Sequence, residues 1–136
     1  MSHNSQLVEA KIDVRSAVPT FLVADVAATA RWYVENLGFT LAGHFPPEEP
    51  YSYASLMRGN AELMLLDLAD YEKPDLTARR QVGLWDAYIR MSGVRELYEI
   101  VGGKPFVRTA LKKQPYGDLE FEVRDPNGYI LVFGGD

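Results

Sequence analysis

The sequence predicts an α+β chain of two tandem βαβββ modules whose strands curve into a mixed-sheet cup. Two observations carry this. The order strand, helix, three strands occurs twice, and in each half a strand end runs straight into a helix start, at Phe21-Leu22-Val23-Ala24-Asp25 and at Tyr88-Ile89-Arg90-Met91-Ser92. Identity between the halves is slight, so the repeat is one of topology. Two helices backing curved sheets leave one sheet face free, and a ligand would sit there.

Residues 1–15 are polar and mixed and read as a loose N-terminal arm. The first module spans residues 16–67. Ser16 to Val23 is apolar and β-branched apart from Pro19, which suits a strand start or edge. Asp25 offers an N-cap, and Val26, Ala30, Tyr33 and Leu37 follow at helical spacing. Gly38 ends that helix, because glycine enters the left-handed region without steric cost. Phe39 to Phe45 is a second strand, and Pro46-Pro47-Glu48-Glu49-Pro50 cannot continue its ladder, since proline lacks the N–H. Tyr51 to Met57 and Ala61 to Asp67 are the third and fourth strands, joined by an Arg58-Gly59-Asn60 turn.

Residues 68–83 are polar with a single proline and link the modules. The second module spans 84–136. Leu84 to Met91 is a strand, Ser92 caps a helix with Val94, Leu97, Tyr98 and Val101 on one face, and Gly102-Gly103 ends it. Phe106 to Leu111 reads as a short strand. Leu119, Phe121 and Val123 alternate with Glu120, Glu122 and Arg124, the period of a half-buried strand. Asp125-Pro126-Asn127-Gly128 has the composition of a tight turn, and Tyr129 to Phe133 is the last strand.

A chain of 136 residues with 47% hydrophobic and 24% charged residues buries a sizeable core without a disulfide or structural metal. Its 14 basic and 19 acidic residues give a net charge of −5. That balance argues against nucleic acid as a partner, because phosphate binding needs a basic face. It leaves open an acidic cavity for a cationic small molecule. There is no cysteine, so thiolate metal sites, iron–sulfur clusters and a cysteine nucleophile are excluded. No apolar run is long enough for a membrane span, and none near the start resembles a signal peptide. A cytoplasmic location is expected.

Catalytic motifs are missing. His3, in the arm, and His44, at a strand end, are the two histidines, and no His-Glu-x-x-His or paired-carboxylate spacing accompanies them. No Gly-x-Ser-x-Gly elbow occurs. No catalytic residue, metal ligand or cofactor is therefore expected.

The second half carries more. If Trp85, Ala87, Ile89 and Met91 face the helix, then Asp86, Tyr88 and Arg90 face the open side. On the neighbouring hairpin Glu120, Glu122 and Arg124 join them. Such a face, flanked by Tyr88 and Tyr116, suits a polar, partly cationic ligand, and Tyr51 and Tyr53 offer flat apolar area with a hydroxyl. It equally describes a solvated sheet laced with cross-strand ion pairs, and the residues alone favour that second description. Trp32 is expected at an interface or rim.

The doubled plan resembles the vicinal oxygen chelate superfamily, which includes glyoxalase I, extradiol dioxygenases and bleomycin resistance proteins. The likeness is closest to the last group, over residues 16–134. Ala17-Val18-Pro19 before the Asp25-Val26 helix start, Trp32-Tyr33, Leu37-Gly38-Phe39, Arg95-Glu96-Leu97-Tyr98, Gln114-Pro115-Tyr116-Gly117, Glu120-Phe121 and Arg124-Asp125-Pro126-Asn127-Gly128 carry it. The family's metal-ligand positions fall on Val18, Met64, Asp86 and Val132, of which only Asp86 offers an oxygen ligand. The resemblance thus implies the metal-free branch, whose members sequester a ligand in a crevice built from two chains. The ligand-binding residues expected are Tyr51, Tyr53, Asp86, Tyr88, Arg90, Tyr116, Glu120 and Glu122, with a small molecule and a second copy of the chain as partners. Dimerisation would cover apolar edges at Val18, Leu22, Met64 and Val132. Tyr116 stands where the family's turn carries tryptophan, which weakens stacking on a bithiazole. The alternative is a glyoxalase- or dioxygenase-type enzyme with a displaced metal held by His44, Glu62 or Asp86.

Overall fold

The computed structural model describes residues 2–136; Met1, the first residue of the expected arm, lies outside them. The chain runs α1 (His3–Glu9), β1 (Thr20–Val23), α2 (Val26–Leu37), β2 (Thr40–Phe45), β3 (Tyr53–Arg58), β4 (Ala61–Asp67), β5 (Ala87–Met91), α3 (Val94–Val101), β6 (Lys112–Lys113), β7 (Leu119–Arg124) and β8 (Ile130–Gly135). Two four-stranded sheets result, ordered β1-β4-β3-β2 and β5-β8-β7-β6. In each, the strand before the helix pairs in parallel with the last strand of its module, and the remaining pairs are antiparallel. The twofold βαβββ plan is therefore present, as two open mixed sheets.

The first module forms for the local reasons its sequence states. The Asp25 side chain accepts the Ala28 N–H at 3.0 Å, and Gly38 closes α2 in the left-handed region at φ 71°. One face of α2 buries Val26, Ala30, Tyr33 and Leu37. Arg58 donates to the Leu37 and Gly38 carbonyls at 3.1 Å, so the turn between β3 and β4 holds the end of that helix.

Three expectations are corrected. The arm is not wholly loose: Ser2 caps α1 by accepting the Ser5 N–H, although no residue of this helix is buried. Ser92 is not the cap of α3. Gly93 holds that position at φ 79°, and the Asp136 carbonyl accepts the N–H groups of Gly93 and Val94 at 3.0 and 3.2 Å. Residues 106–111 form no strand beyond one bridge between Val107 and Val123. There the Thr109 hydroxyl takes the Glu122 N–H at 2.9 Å, a bond a regular ladder would give to a backbone carbonyl.

One hydrophobic core spans both modules. The turn between β7 and β8 docks on α2: Asn127 Nδ2 donates to Thr29 Oγ1 at 2.9 Å, and the fully buried Tyr33 hydroxyl donates to Asp125 at 2.6 Å. Tyr129 donates to the Leu22 carbonyl at 2.7 Å, and its ring stacks on Phe21 at 4.1 Å. Trp32, expected at an interface or rim, is half-buried and meets Phe106 of the second module edge to face at 5.2 Å. Of the apolar edge residues, Val132 is fully buried, whereas Leu22 remains 37% exposed.

Asp125 is 4% exposed and accepts from Tyr33, Asn127 and Tyr129, with no basic side chain paired to it among the described residues. Burial pushes its carboxyl above the ordinary 3.8, against the downward pull of those hydrogen bonds. A pKa raised by folding favours the acid form of the folded chain. The group's contribution to stability is thus full below the ordinary value and lost as pH rises through the folded one. We expect Asp125→Asn to flatten this part of the pH dependence, measured as urea midpoints between pH 4 and 8. Tyr33→Phe should cost about 1.5–3 kcal/mol, the range for a hydrogen bond to a charged group. Its cost should be greater above the Asp125 pKa than below it, and an equal cost at both ends would contradict the tie.

Candidate functional site

Strand alternation sets the site. On β7, Phe121 and Val123 enter the core, so Glu120 and Glu122 point to the face of the second sheet that no helix covers. On β5, Ala87, Ile89 and Met91 pack on the core, leaving Tyr88 and Arg90 on that same face. A cavity of about 460 Å³ opens beside β7, and Trp85, Lys112, Tyr116, Glu120 and Glu122 contribute to its wall.

Both glutamates are buried, at 5% and 6% exposure. An ionised carboxylate is expensive to bury without donors, so their partners decide how they are held. Glu122 is fully engaged: Arg108 Nε reaches Oε1 at 3.1 Å and the Trp85 indole N–H reaches Oε2 at 3.2 Å. Arg108 also donates to the Gln81 carbonyl, fastening residues 80–83 over the cavity. Glu120 is held differently. The hydroxyls of Tyr88, at 2.7 Å, and Tyr116 both donate to Oε2, and no described side chain forms an ion pair with it.

The phenols carry the imprint of that carboxylate. The hydrogen bond to Glu120 pushes Tyr116 up to about 12. Burial first, then the bonds to Glu120 and Asp118, raise Tyr88 well above the ordinary 10.0. Both therefore stay protonated and act as donors. Tyr88 lies across Gly134, where a Cβ would collide with its hydroxyl, so the glycine is what lets the ring lie flat on β8. The single Tyr88 proton is shared with Asp118, whose Oδ2 lies 3.0 Å from the hydroxyl and pairs with Arg90 at 3.3 Å. The Arg90 side chain is 76% exposed and stands over the Tyr88 ring at 5.2 Å.

Of the eight residues expected at the site, Tyr88, Arg90, Tyr116, Glu120 and Glu122 gather on this face. The other three lie elsewhere. Asp86 turns to the sheet end, where it accepts the Ile130 N–H at 2.8 Å and pairs with Lys73 at 3.2 Å. Tyr51 precedes β3 and stacks on His44 at 4.1 Å, while Tyr53 pairs with Phe45 and Leu66 within the first sheet. Arg124, expected on the open face, reaches Asp75 at the strand end instead. Trp85 is a correction in the other direction. It was expected against the helix, but the chain bends at Asp86, so strict alternation begins only at Ala87 and the indole swings to the open face. Arg108 and Asp118 were not singled out by the sequence. The signal for Arg108 was indirect: a carboxylate at an alternating position of a buried strand needs a cation, and this arginine lies on the segment bridged to β7.

The three residues expected for a displaced metal are each engaged elsewhere. His44 Nδ1 contacts the Pro46 carbonyl, Glu62 accepts from Ser55 at 2.6 Å, and Asp86 is tied to Lys73. Among the described residues no group of three His, Asp or Glu side chains converges as a ligand set.

Among known proteins, a bleomycin resistance protein of Geobacillus stearothermophilus is 27% identical over 130 residues, covering 86% of this chain and 93% of its own. The fold is shared with the bleomycin-binding protein of Streptomyces verticillus in complex with copper(II)-bleomycin (TM-score 0.62, 22% identity, 90% of this chain and 96% of that one). It is also shared with a glyoxalase-related enzyme of Clostridium phytofermentans (TM-score 0.71, 18% identity, 93% and 98%). The profile of the Glyoxalase/Bleomycin resistance protein/Dioxygenase superfamily matches residues 16–133, and the chain belongs to that superfamily.

Proposed function

We propose that this protein binds a polar small molecule, aromatic or cationic, and sequesters it without transforming it, as a cytoplasmic homodimer. The observation that carries the reading is the pairing of a buried carboxylate, Glu120, with aromatic surface at Trp85 and Tyr116 in one cavity. Both rings are substantially exposed, at 44% and 62%, and so are available to a flat guest. The absence of a converging ligand set among the described residues supports binding over metal-assisted turnover. The bleomycin resistance proteins among its relatives support an antibiotic-like guest.

A second copy is supported by the first sheet. Leu22 and Leu66 are partners across the β1–β4 pair and stay 37% and 39% exposed, with Phe45 at 63% on the far edge. Apolar area of this kind on a sheet face favours a covering partner. Among the described residues no helix is long and apolar enough to cross a membrane.

Sequestration works by stoichiometry, so a physiological guest must bind at about 1 μM or tighter, about −8 kcal/mol. A thermal-shift screen of bleomycins, planar cations and heterocycles, followed by calorimetry, should find such a guest, since a ligand of the folded state raises the melting temperature. Tyr116→Ala should then weaken binding about tenfold, from the loss of an aromatic contact of about 1 kcal/mol and a donor to Glu120. The dimer mass should be unchanged. Equal affinities of mutant and wild type would remove the cavity from the proposal.

A further inference from the structure

Glu120 and Glu122 differ in one respect that bears on what the cavity takes. Both phenols that hold Glu120 donate to the same oxygen, Oε2. Its other oxygen, Oε1, receives no hydrogen bond from any described residue, although the residue is 95% buried by its 5% exposure and lines the cavity. Glu122, by contrast, has Arg108 on one oxygen and Trp85 on the other. An unpartnered, solvent-accessible carboxylate oxygen on an otherwise buried residue of the cavity wall is an acceptor open to a charged donor.

The register of the short β6–β7 pair adds the complementary charge. Lys112 is directly opposite Glu120. Directly opposed residues of an antiparallel pair project from the same face with Cβ atoms about 5 Å apart. Lys112 also lines the cavity, and it makes no ion pair among the described residues. Arg80 lines the same cavity and is likewise without an ion pair among the described residues. With Glu122 neutralised by Arg108, the cavity therefore offers one free carboxylate and two free cations. A purely cationic guest would satisfy Glu120 while meeting repulsion from Lys112 and Arg80.

We infer that the guest carries an α-amino-acid head group, with its ammonium on Glu120 Oε1, its carboxylate on Lys112, and an aromatic group between Trp85 and Tyr116. The fixed short spacing between ammonium and carboxylate on one carbon matches two side chains that leave adjacent strands at opposed positions. Arg80 adds a second positive charge to the cavity wall. This inference rests on the binding function proposed above and narrows its guest from any polar aromatic to a zwitterion.

The test uses three probes on one scaffold: L-phenylalanine (zwitterion), L-phenylalaninamide (cation) and N-acetyl-L-phenylalanine (anion). Each is titrated into the whole chain while tryptophan fluorescence is followed. The zwitterion should bind at least tenfold more tightly than either singly charged probe. Glu120→Gln should weaken phenylalanine and its amide tenfold or more and leave the acetylated probe unchanged. Lys112→Ala/Arg80→Ala, both at exposed positions and so safe for folding, should weaken phenylalanine and the acetylated probe but not the amide. An amide that binds as well as phenylalanine overturns the inference, as does phenylalanine binding that ignores the double substitution. Failure of all three probes while a planar cation from the screen binds also overturns it and leaves the broader function standing. Failure of every probe and every screened compound overturns both.

Discussion

Two carboxylates lie two residues apart on β7, buried on a sheet face that no helix covers, and the way each is satisfied organises everything around them. A buried carboxylate without donors would be expelled or neutralised. Glu122 is answered by Arg108 and Trp85, and that answer brings with it the segment at Gln81 that walls the cavity. Glu120 is answered on one oxygen by two phenols, which fixes Tyr116 above the cavity and Tyr88 flat against Gly134. The same constraint therefore shapes the wall, positions the aromatic surface and leaves an acceptor open.

Beneath this face the two modules share one core. The docking of the Asp125–Tyr129 turn on α2, through Tyr33, Thr29 and the Leu22 carbonyl, fixes the β7–β8 hairpin to the first module. Since β7 carries both glutamates, contacts made on the far side of the sheet hold the site in place. Structure and site are thus joined through a single hairpin, with its core face tied to α2 and its open face to the cavity.

Much of this was legible in the sequence because it depended on local rules. The Asp25 cap, the left-handed Gly38 and the turn at Asp125-Pro126-Asn127-Gly128 need only neighbours to be read, and each stands in the structure, whereas the strand read as half-buried from Leu119 to Arg124 is buried on both faces. Where the reading failed, a distant group had replaced a local one. The Asp136 carbonyl caps α3 where Ser92 was expected to, the Thr109 hydroxyl interrupts a strand, and Lys73 draws Asp86 away from the open face. Trp85 escaped because alternation was extended through a bend that periodicity does not show. Tyr51 and Tyr53 were read as one strand, but β3 begins only at Tyr53, and nothing local separates a binding tyrosine from one that packs within its own sheet.

The chain has two tryptophans, and they occupy opposite sides of the account: Trp85 on the cavity and Trp32 between the modules. Nitrogen-15 NMR of the indole groups, with a saturating ligand added, reads both at once. Guest binding beside Glu120 predicts a large shift of the Trp85 signal with Trp32 unmoved. A bound ligand that shifts Trp32 and leaves Trp85 in place would contradict it.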